Sequence, residues 1–293
     1  MNEKISVVIP CKNEIENIRA CIASARLIAD EVLVADSGSQ DGTLEAARQL
    51  ADRVVEREYI DSGDFKNWAI PQAANEWVFI LDADERITPD LAVEIKAAAR
   101  SQLYLAYSVP RRNFFLGHPL DHGDWARDEV TRLIQRDHCR YRLHTDHAEI
   151  EVPADQLGRF TSKMAHYTAW DLKSYLDKML HYANQQANLW YDTGRKPRLW
   201  NLMMNAPLRF LRGYVLRFGF LDGMIGFHLS ALTAYYSFLK QFLLWQKCYG
   251  RKVGDLDVDF YSTQAARVTL QVADVADSDT PASDAKDGNR SAA

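Results

Sequence analysis

Short apolar runs alternate with helical periodicities through the first hundred residues. Ile5-Ser-Val-Val-Ile-Pro10 reads as a buried strand, followed by a helix over 15–29. Val32–Asp36 predicts a second strand and Thr43–Ala51 a second helix; Arg53–Glu56 and Phe65–Ala74 predict the next strand and helix. Trp77-Val-Phe-Ile-Leu81 is the fourth strand. The helix over Thr88–Arg100 has Thr88 placed to cap it and Pro89 at its first position. Such alternation predicts an α/β fold, a mostly parallel sheet sandwiched by helices.

The pattern changes after residue 100. Tyr104–Pro110, Thr131–Gln135 and Ile150–Val152 read as strands among loops rich in His, Arg and Asp. Residues 171–194 predict a long polar helix, and Pro197–Gln246 is helical, aromatic and basic. After about Ser262 the chain is rich in Ala, Asp and Ser, a composition expected to stay disordered. Three regions follow: an α/β domain over 1–165, a helical region over 166–254 and an acidic tail over 255–293.

The formal net charge of −5 excludes a general nucleic-acid binder, but it averages over opposed segments. Residues 195–254 carry ten Lys or Arg and one acid, Asp222, while residues 255–293 carry eight Asp and three basic residues. The first of these also holds twelve aromatic residues. On a helix through 208–220, Leu211, Tyr214, Val215 and Phe218 share one face, with Arg209, Arg212 and Arg217 opposite. That arrangement suits an anionic lipid surface, or a helix packed on the domain with a solvated arginine face. Residues 223–239 lack any charged side chain but contain His228, Ser230, Thr233 and Ser237. They favour a monotopic or re-entrant element over a full span. The four cysteines have no metal-type spacing, and no signal peptide is expected, because the apolar run at Ile5 is short and charged residues follow it. The expected location is cytoplasmic, peripheral on the inner face of the inner membrane.

In open α/β sheets, ligands bind at the carboxyl ends of strands. Those ends here read Pro10-Cys-Lys-Asn13-Glu14, Asp36-Ser-Gly-Ser-Gln-Asp41-Gly42-Thr43 and Asp82-Ala-Asp84-Glu85. A strand-terminal Asp accepts from a base N–H or a ribose hydroxyl, or caps its own turn. Two Asp spaced i, i+2 suit a divalent cation that also holds a diphosphate. No Gly-x-Gly-x-x-Gly follows the first strand, which disfavours a dinucleotide oxidoreductase.

These three motifs, spanning 5–86, resemble the inverting family 2 glycosyltransferases of GT-A fold. The resemblance implies a nucleotide-sugar donor, most often a UDP-sugar, and a divalent cation, Mg²⁺ or Mn²⁺. It implies that Pro10, Asn13 or Glu14 and Asp36 line the nucleoside pocket, that Asp82 lies near the ribose, and that Asp84 binds the metal. Lys66 and Asn67 occupy the family's basic-Asn position, where Lys66 would contact base or phosphate, or be an exposed helix lysine.

Trp125-Ala-Arg-Asp128-Glu129-Val-Thr-Arg132-Leu resembles a segment of the lipopolysaccharide core glucosyltransferases, with Arg127 where that subgroup has Pro. The resemblance assigns Asp128 as general base, with Glu129 the alternative. Arg132 is a phosphate ligand or one half of a salt bridge. His147 matches a subgroup element and is a further metal candidate. A zinc site at His118 and His122 is disfavoured by Gly117, Pro119 and Gly123. The expectation is a hexosyltransferase, best matched to glucose from UDP-glucose, acting on a lipid-linked saccharide at the inner-membrane surface. The alternatives are a polyprenyl phosphate acceptor and an inactive glycan- or lipid-binding module.

Overall fold

A computed structural model describes residues 3–142, 149–250 and 261–271. The predicted strands appear as β1 (Ile5–Cys11), β2 (Glu31–Asp36), β3 (Arg53–Glu56) and β4 (Trp77–Ile80). Between and after them come α1 (Ile15–Ala25), α2 (Thr43–Leu50) and α3 (Ser62–Ala69), then β5 (Glu85–Arg86) and α4 (Pro89–Ser101). The Thr88 side chain accepts from Leu91 N at the start of α4, as its place before Pro89 predicts. The chain continues through β6 (Ala106–Phe115), β7 (His118–Leu120), β8 (Glu129–Gln135), β9 (Arg140–Tyr141), β10 (Ile150–Glu151), β11 (Leu157–Arg159) and β12 (Met164–Ala169). Three helices follow: α5 (Leu172–Asp192), α6 (Leu199–Leu211) and α7 (Gly223–Tyr249).

The main sheet runs β3-β2-β1-β4-β8-β6-β12-β5, with β7 and β11 also on β6. Its first four strands are parallel. β1, β2 and β4 are buried almost without interruption, because helices cover both faces. From β8 onward the sheet is mixed: β8 is antiparallel to both β4 and β6. Beyond β8 the sheet mixes directions, with β11 and β12 again parallel to β6. β6 pairs β8 through Ala106–Pro110 and then β12 through Arg111–Phe115, so one long strand carries the sheet from the parallel half to β12. β12 straddles the boundary expected at 165, so the helical region begins inside a sheet strand.

The basic aromatic segment differs from one helix over 208–220. α6 ends at Leu211, a wide turn covers Arg212–Leu216, Phe218 takes a left-handed conformation, and a short helical turn at Gly219–Asp222 leads into α7. The cause is close packing at three glycines. A Cβ on Gly226 would lie 1.9 Å from Gly219 O, and one on Gly219 would lie 2.7 Å from Gly213 O. No single helix among the described residues is long and apolar enough to cross a membrane. Leu199–Leu216 and Gly219–Tyr249, bent by 72°, meet that test only as a pair. Within the segment expected to lack structure, residues 261–271 are helical, nearly all exposed, and free of Gly and Pro.

Gly226→Ala is expected to destabilise by at least about 1–3 kcal/mol, because backbone rather than a movable side chain fills the space. A melting temperature equal to wild type would refute this packing.

Candidate active site

The turn after β4 places its carboxylates by hydrogen bonding at both ends. Glu85 N donates to Asp82 O at 2.9 Å, and Asp82 N donates to Glu85 Oε2 at 3.1 Å. Glu85 is fully buried, so its charge must be met by neighbours. Its Oε1 accepts from Arg132 at 2.7 Å and from Arg111 at 3.1 Å. Arg132, from β8, also holds Asp82 Oδ2 at 2.5 Å, while Lys66 Nζ holds Asp82 Oδ1 at 2.8 Å. Arg111, from β6, holds Asp128 Oδ2 through Nε at 2.8 Å and through a terminal nitrogen at 2.5 Å. Lys66, Asp82, Arg132, Glu85, Arg111 and Asp128 therefore form one chain of alternating sign.

These contacts set the protonation of the buried groups. Removal from water pushes the Asp82 carboxyl up, but Arg132 and Lys66 outweigh it and hold it well below the usual carboxylate range. Burial would lower Lys66, yet Asp82 raises it above its ordinary value. Lys66 also lies 5.3 Å from the Tyr141 ring centre, so it is a buried partner of the site rather than an exposed helix lysine. Arg132 realises the salt-bridge alternative, in the interior instead of at a strand edge.

The chain of pairs continues through an amide. Asn113 Nδ2 donates to Trp125 O at 2.6 Å and reaches Asp128 Oδ2 at 3.3 Å, which fixes its oxygen on the other side, 2.5 Å from His166 Nδ1. The opposite nitrogen, His166 Nε2, lies 3.5 Å from Asp84 Oδ2. Burial raises the Asp84 carboxyl, and the hydrogen bond and electrostatic attraction of the His166 ring together bring it below its ordinary value. With a neutral ring whose proton is on Nδ1, Nε2 and the carboxylate face each other as two acceptors. That donor pair suits a divalent cation, and an orienting partner on the second ring nitrogen is the usual support of a metal-binding histidine.

Other expected residues are placed differently. Asp82 is taken up by Lys66 and Arg132 and is not left open for a cation. His147 lies outside the described residues, and among those described no three His, Cys, Asp or Glu side chains converge to hold a metal. Asp36 is fully buried, and its carboxylate accepts from Gly38 N at 2.8 Å, Ser39 N at 2.9 Å and Ser39 Oγ at 2.5 Å, the arrangement of an Asx turn. Asn13 has φ +54° and ties the loop after β1 to the loop after β2: its N donates to Ser39 Oγ, and its Oδ1 accepts from Gln40 N. Pro10 is in β1, partly covered. Glu14 bonds Asn17 and Thr43, and burial raises its carboxyl. Asn67 pairs with both backbone groups of Tyr141 and so anchors β9. Glu129 accepts from Ser108 and pairs with Arg159, outside the alternating chain.

Glu85, Arg111, Asn113 and His166 belong to the site without having been assigned to it from sequence. Glu85 carried a signal in its place beside Asp84. His166 begins an element that also resembles the lipopolysaccharide core subgroup and reads as scaffold or acceptor cleft; Arg111 and Asn113 carried no signal, because β6 and β12 meet only in the fold, where His166 is opposite Asn113 in their register. A second unforeseen cluster lies four residues before Asp128. Asp124, with 8% of its side chain exposed, pairs with Arg209 at 3.0 Å, Arg217 at 2.5 Å and Arg212 at 3.7 Å. Those arginines were expected on a solvated or lipid-facing side; they converge on one buried carboxylate instead.

Glu85→Gln is expected to destabilise by roughly 3–5 kcal/mol, because it removes the charge between Arg111 and Arg132 while keeping the volume. Urea unfolding measures it, and a change near zero would mean that the pairs do not organise the core.

Residues 6–144 match the model described as "Glycosyl transferase family 2". The chain is 28% identical over 252 residues to the lipopolysaccharide core biosynthesis glycosyltransferase LpsC of Rhizobium meliloti (strain 1021), covering 83% of this chain and 92% of that one. It is 27% identical over 251 residues to the uncharacterized glycosyltransferase RP128 of Rickettsia prowazekii (strain Madrid E), covering 81% and 85%. Among solved structures, residues 1–349 of S. aureus TarS in complex with UDP-GlcNAc align with a TM-score of 0.43 at 13% identity, over 85% of this chain and 93% of that one. Residues 6–144 are a glycosyl transferase family 2 domain, in a chain that resembles the lipopolysaccharide core glycosyltransferases over most of its length.

Proposed function

We propose that this glycosyltransferase moves a hexose, best matched to glucose from UDP-glucose, onto a lipid-anchored saccharide at a membrane surface, with inversion. The observation that carries the reading is the Asn113 amide, which touches His166 on one side and Asp128 on the other. It links a carboxylate–histidine pair suited to a cation with a carboxylate suited to act as base.

Asp84 and His166 would hold the cation. When bound, it supplies charge to the departing diphosphate. Asp128 is the base. Its contacts to Arg111 and Asn113 all fall on Oδ2, and among the described residues Oδ1 has no hydrogen-bond partner. Oδ1 would take the proton of the acceptor hydroxyl as that oxygen attacks the anomeric carbon. Arg111 and Asn113 fix the direction in which Oδ1 points. Asp36 and Asn13 support the nucleoside by holding the loops after β1 and β2 in place. Lys66 and Arg132 orient Asp82 towards the donor.

The acceptor reading rests on the kinship with LpsC, a lipopolysaccharide core enzyme, and on the surface of α6 and α7. Met203, Leu208 and Leu211 are exposed on α6. Phe238, Phe242, Trp245 and Tyr249 form an exposed, successively contacting ladder along α7. An apolar, aromatic face of this kind, on a bent pair of helices, fits monotopic insertion into one leaflet.

UDP with Mn²⁺ is expected to raise the melting temperature, and Asp84→Ala to remove most of that rise. Asp128→Asn keeps the rise while transfer falls by roughly 10²–10⁴. Retained turnover in Asp128→Asn would move the base elsewhere, and the absence of a shift with any nucleoside diphosphate would end the donor assignment. The double variant Phe242→Glu, Trp245→Glu is expected to leave the membrane fraction while keeping the UDP response. Unchanged sedimentation with membranes would remove the insertion model.

A further inference from the structure

A cavity of about 270 Å³ opens between α5, α6 and α7, away from the residues of the alternating chain. Arg209, Arg212 and Lys240 line it together with Trp190, Asn205 and Gln241, and no lining residue is an acid. The compensation of these cations is incomplete. Asp124 is a single carboxylate shared by Arg209, Arg212 and Arg217, and its contact to Arg212 is the longest, 3.7 Å. Lys240 has no carboxylate partner among the described residues. Its ammonium rests instead on π faces, 4.3 Å from the Tyr236 ring centre and 5.8 Å from that of Trp190, whose ring also carries Arg195 at 4.1 Å.

The remaining polar wall points the same way. Gln241 is 2% exposed, and among the described residues its Oε1 has no hydrogen-bond partner. Such an oxygen accepts only, so it calls for a hydroxyl or another donor from the occupant. Burial, followed by repulsion from Arg209 and Arg195, pulls the Lys240 ammonium below its ordinary value, the mark of a cation short of an anion.

We infer that this cavity binds a phosphate monoester headgroup, with Lys240, Arg209 and Arg212 taking its anionic oxygens and Gln241 Oε1 accepting from its P–OH. Basic pockets between membrane-associated helices take such headgroups. Leu208, exposed on the rim, would sit at the leaflet when the group enters. The cavity is a holding site for the anchored molecule, separate from the Asp84–Asp128 centre.

The test is binding without donor or transfer, so its failure is distinguishable from failure of the transferase reading. Full-length protein is floated with phosphatidylcholine vesicles containing either phosphatidic acid or phosphatidylglycerol at equal charge. Its melting temperature is also followed against inorganic phosphate. Wild type is expected to prefer phosphatidic acid by about tenfold or more, the effect of a few charge-assisted hydrogen bonds. Lys240→Met loses the preference and Lys240→Arg keeps it. Lys247→Met, an equal charge change at an exposed position of α7 outside the cavity, leaves it intact. Asn205→Asp, which sets a carboxylate against the cations, gives the same loss as Lys240→Met by an independent route. A Lys240-dependent shift with inorganic phosphate supports the site and names free phosphate as a sufficient ligand; preference on vesicles alone names the lipid headgroup. Equal binding to both vesicle types without a phosphate shift, or equal loss in Lys240→Met and Lys247→Met, overturns the proposal.

Discussion

The charge of Glu85 is the constraint from which the centre of the molecule follows. A carboxylate with no exposed surface needs cations at hydrogen-bonding distance, and two arginines on neighbouring strands meet it. Each of those arginines has further donors, and each uses them on another carboxylate: Arg132 on Asp82, Arg111 on Asp128. Asp82 and Asp128 are thus spaced by a buried ion network rather than by loops. Such a network is costly to desolvate, but it is rigid, and rigid placement is what transfer chemistry requires.

The sheet makes this network possible. The parallel half delivers Asp82, Asp84 and Glu85 at the end of β4, where ligands of open α/β sheets gather. β8, antiparallel to β4, carries Arg132 beside them. β6 then spans both halves, contributing Arg111 and Asn113 from its second stretch, where β12 brings His166 into register. A single ten-residue strand thereby joins the two ends of the site.

Much of this was legible in the sequence because its signals are local. Consecutive apolar residues in β1, β2 and β4 announce strands buried on both faces, and the polar residues that close them announce a ligand edge. Thr88-Pro89 announces α4 for reasons of capping alone. The partners of Asp84 and Asp128 were illegible because they are matters of register. Nothing in the neighbourhood of residue 113 or 166 shows that their strands pair, and nothing near Arg132 shows that its charge is needed inside. Asp36 shows the converse limit. The same strand-end position serves a ligand or a turn, and only the loop geometry shows the carboxylate meeting Ser39. The arginines at 209, 212 and 217 were assigned by helical periodicity; the glycine contacts that break the helix redirected all three.

The cage around Asp124 gives the two regions of the chain a shared fate. Asp124 belongs to the loop that presents Asp128, and its counter-charges all come from the far side of α5. Removing the helical region would strand a buried anion just before Asp128. The sheet domain is therefore not a portable module: the helical region also completes the electrostatics of the loop that presents Asp128. Exchanging the helical region between relatives would have to carry both sides of this cage, the carboxylate and its arginines, as a single inherited unit.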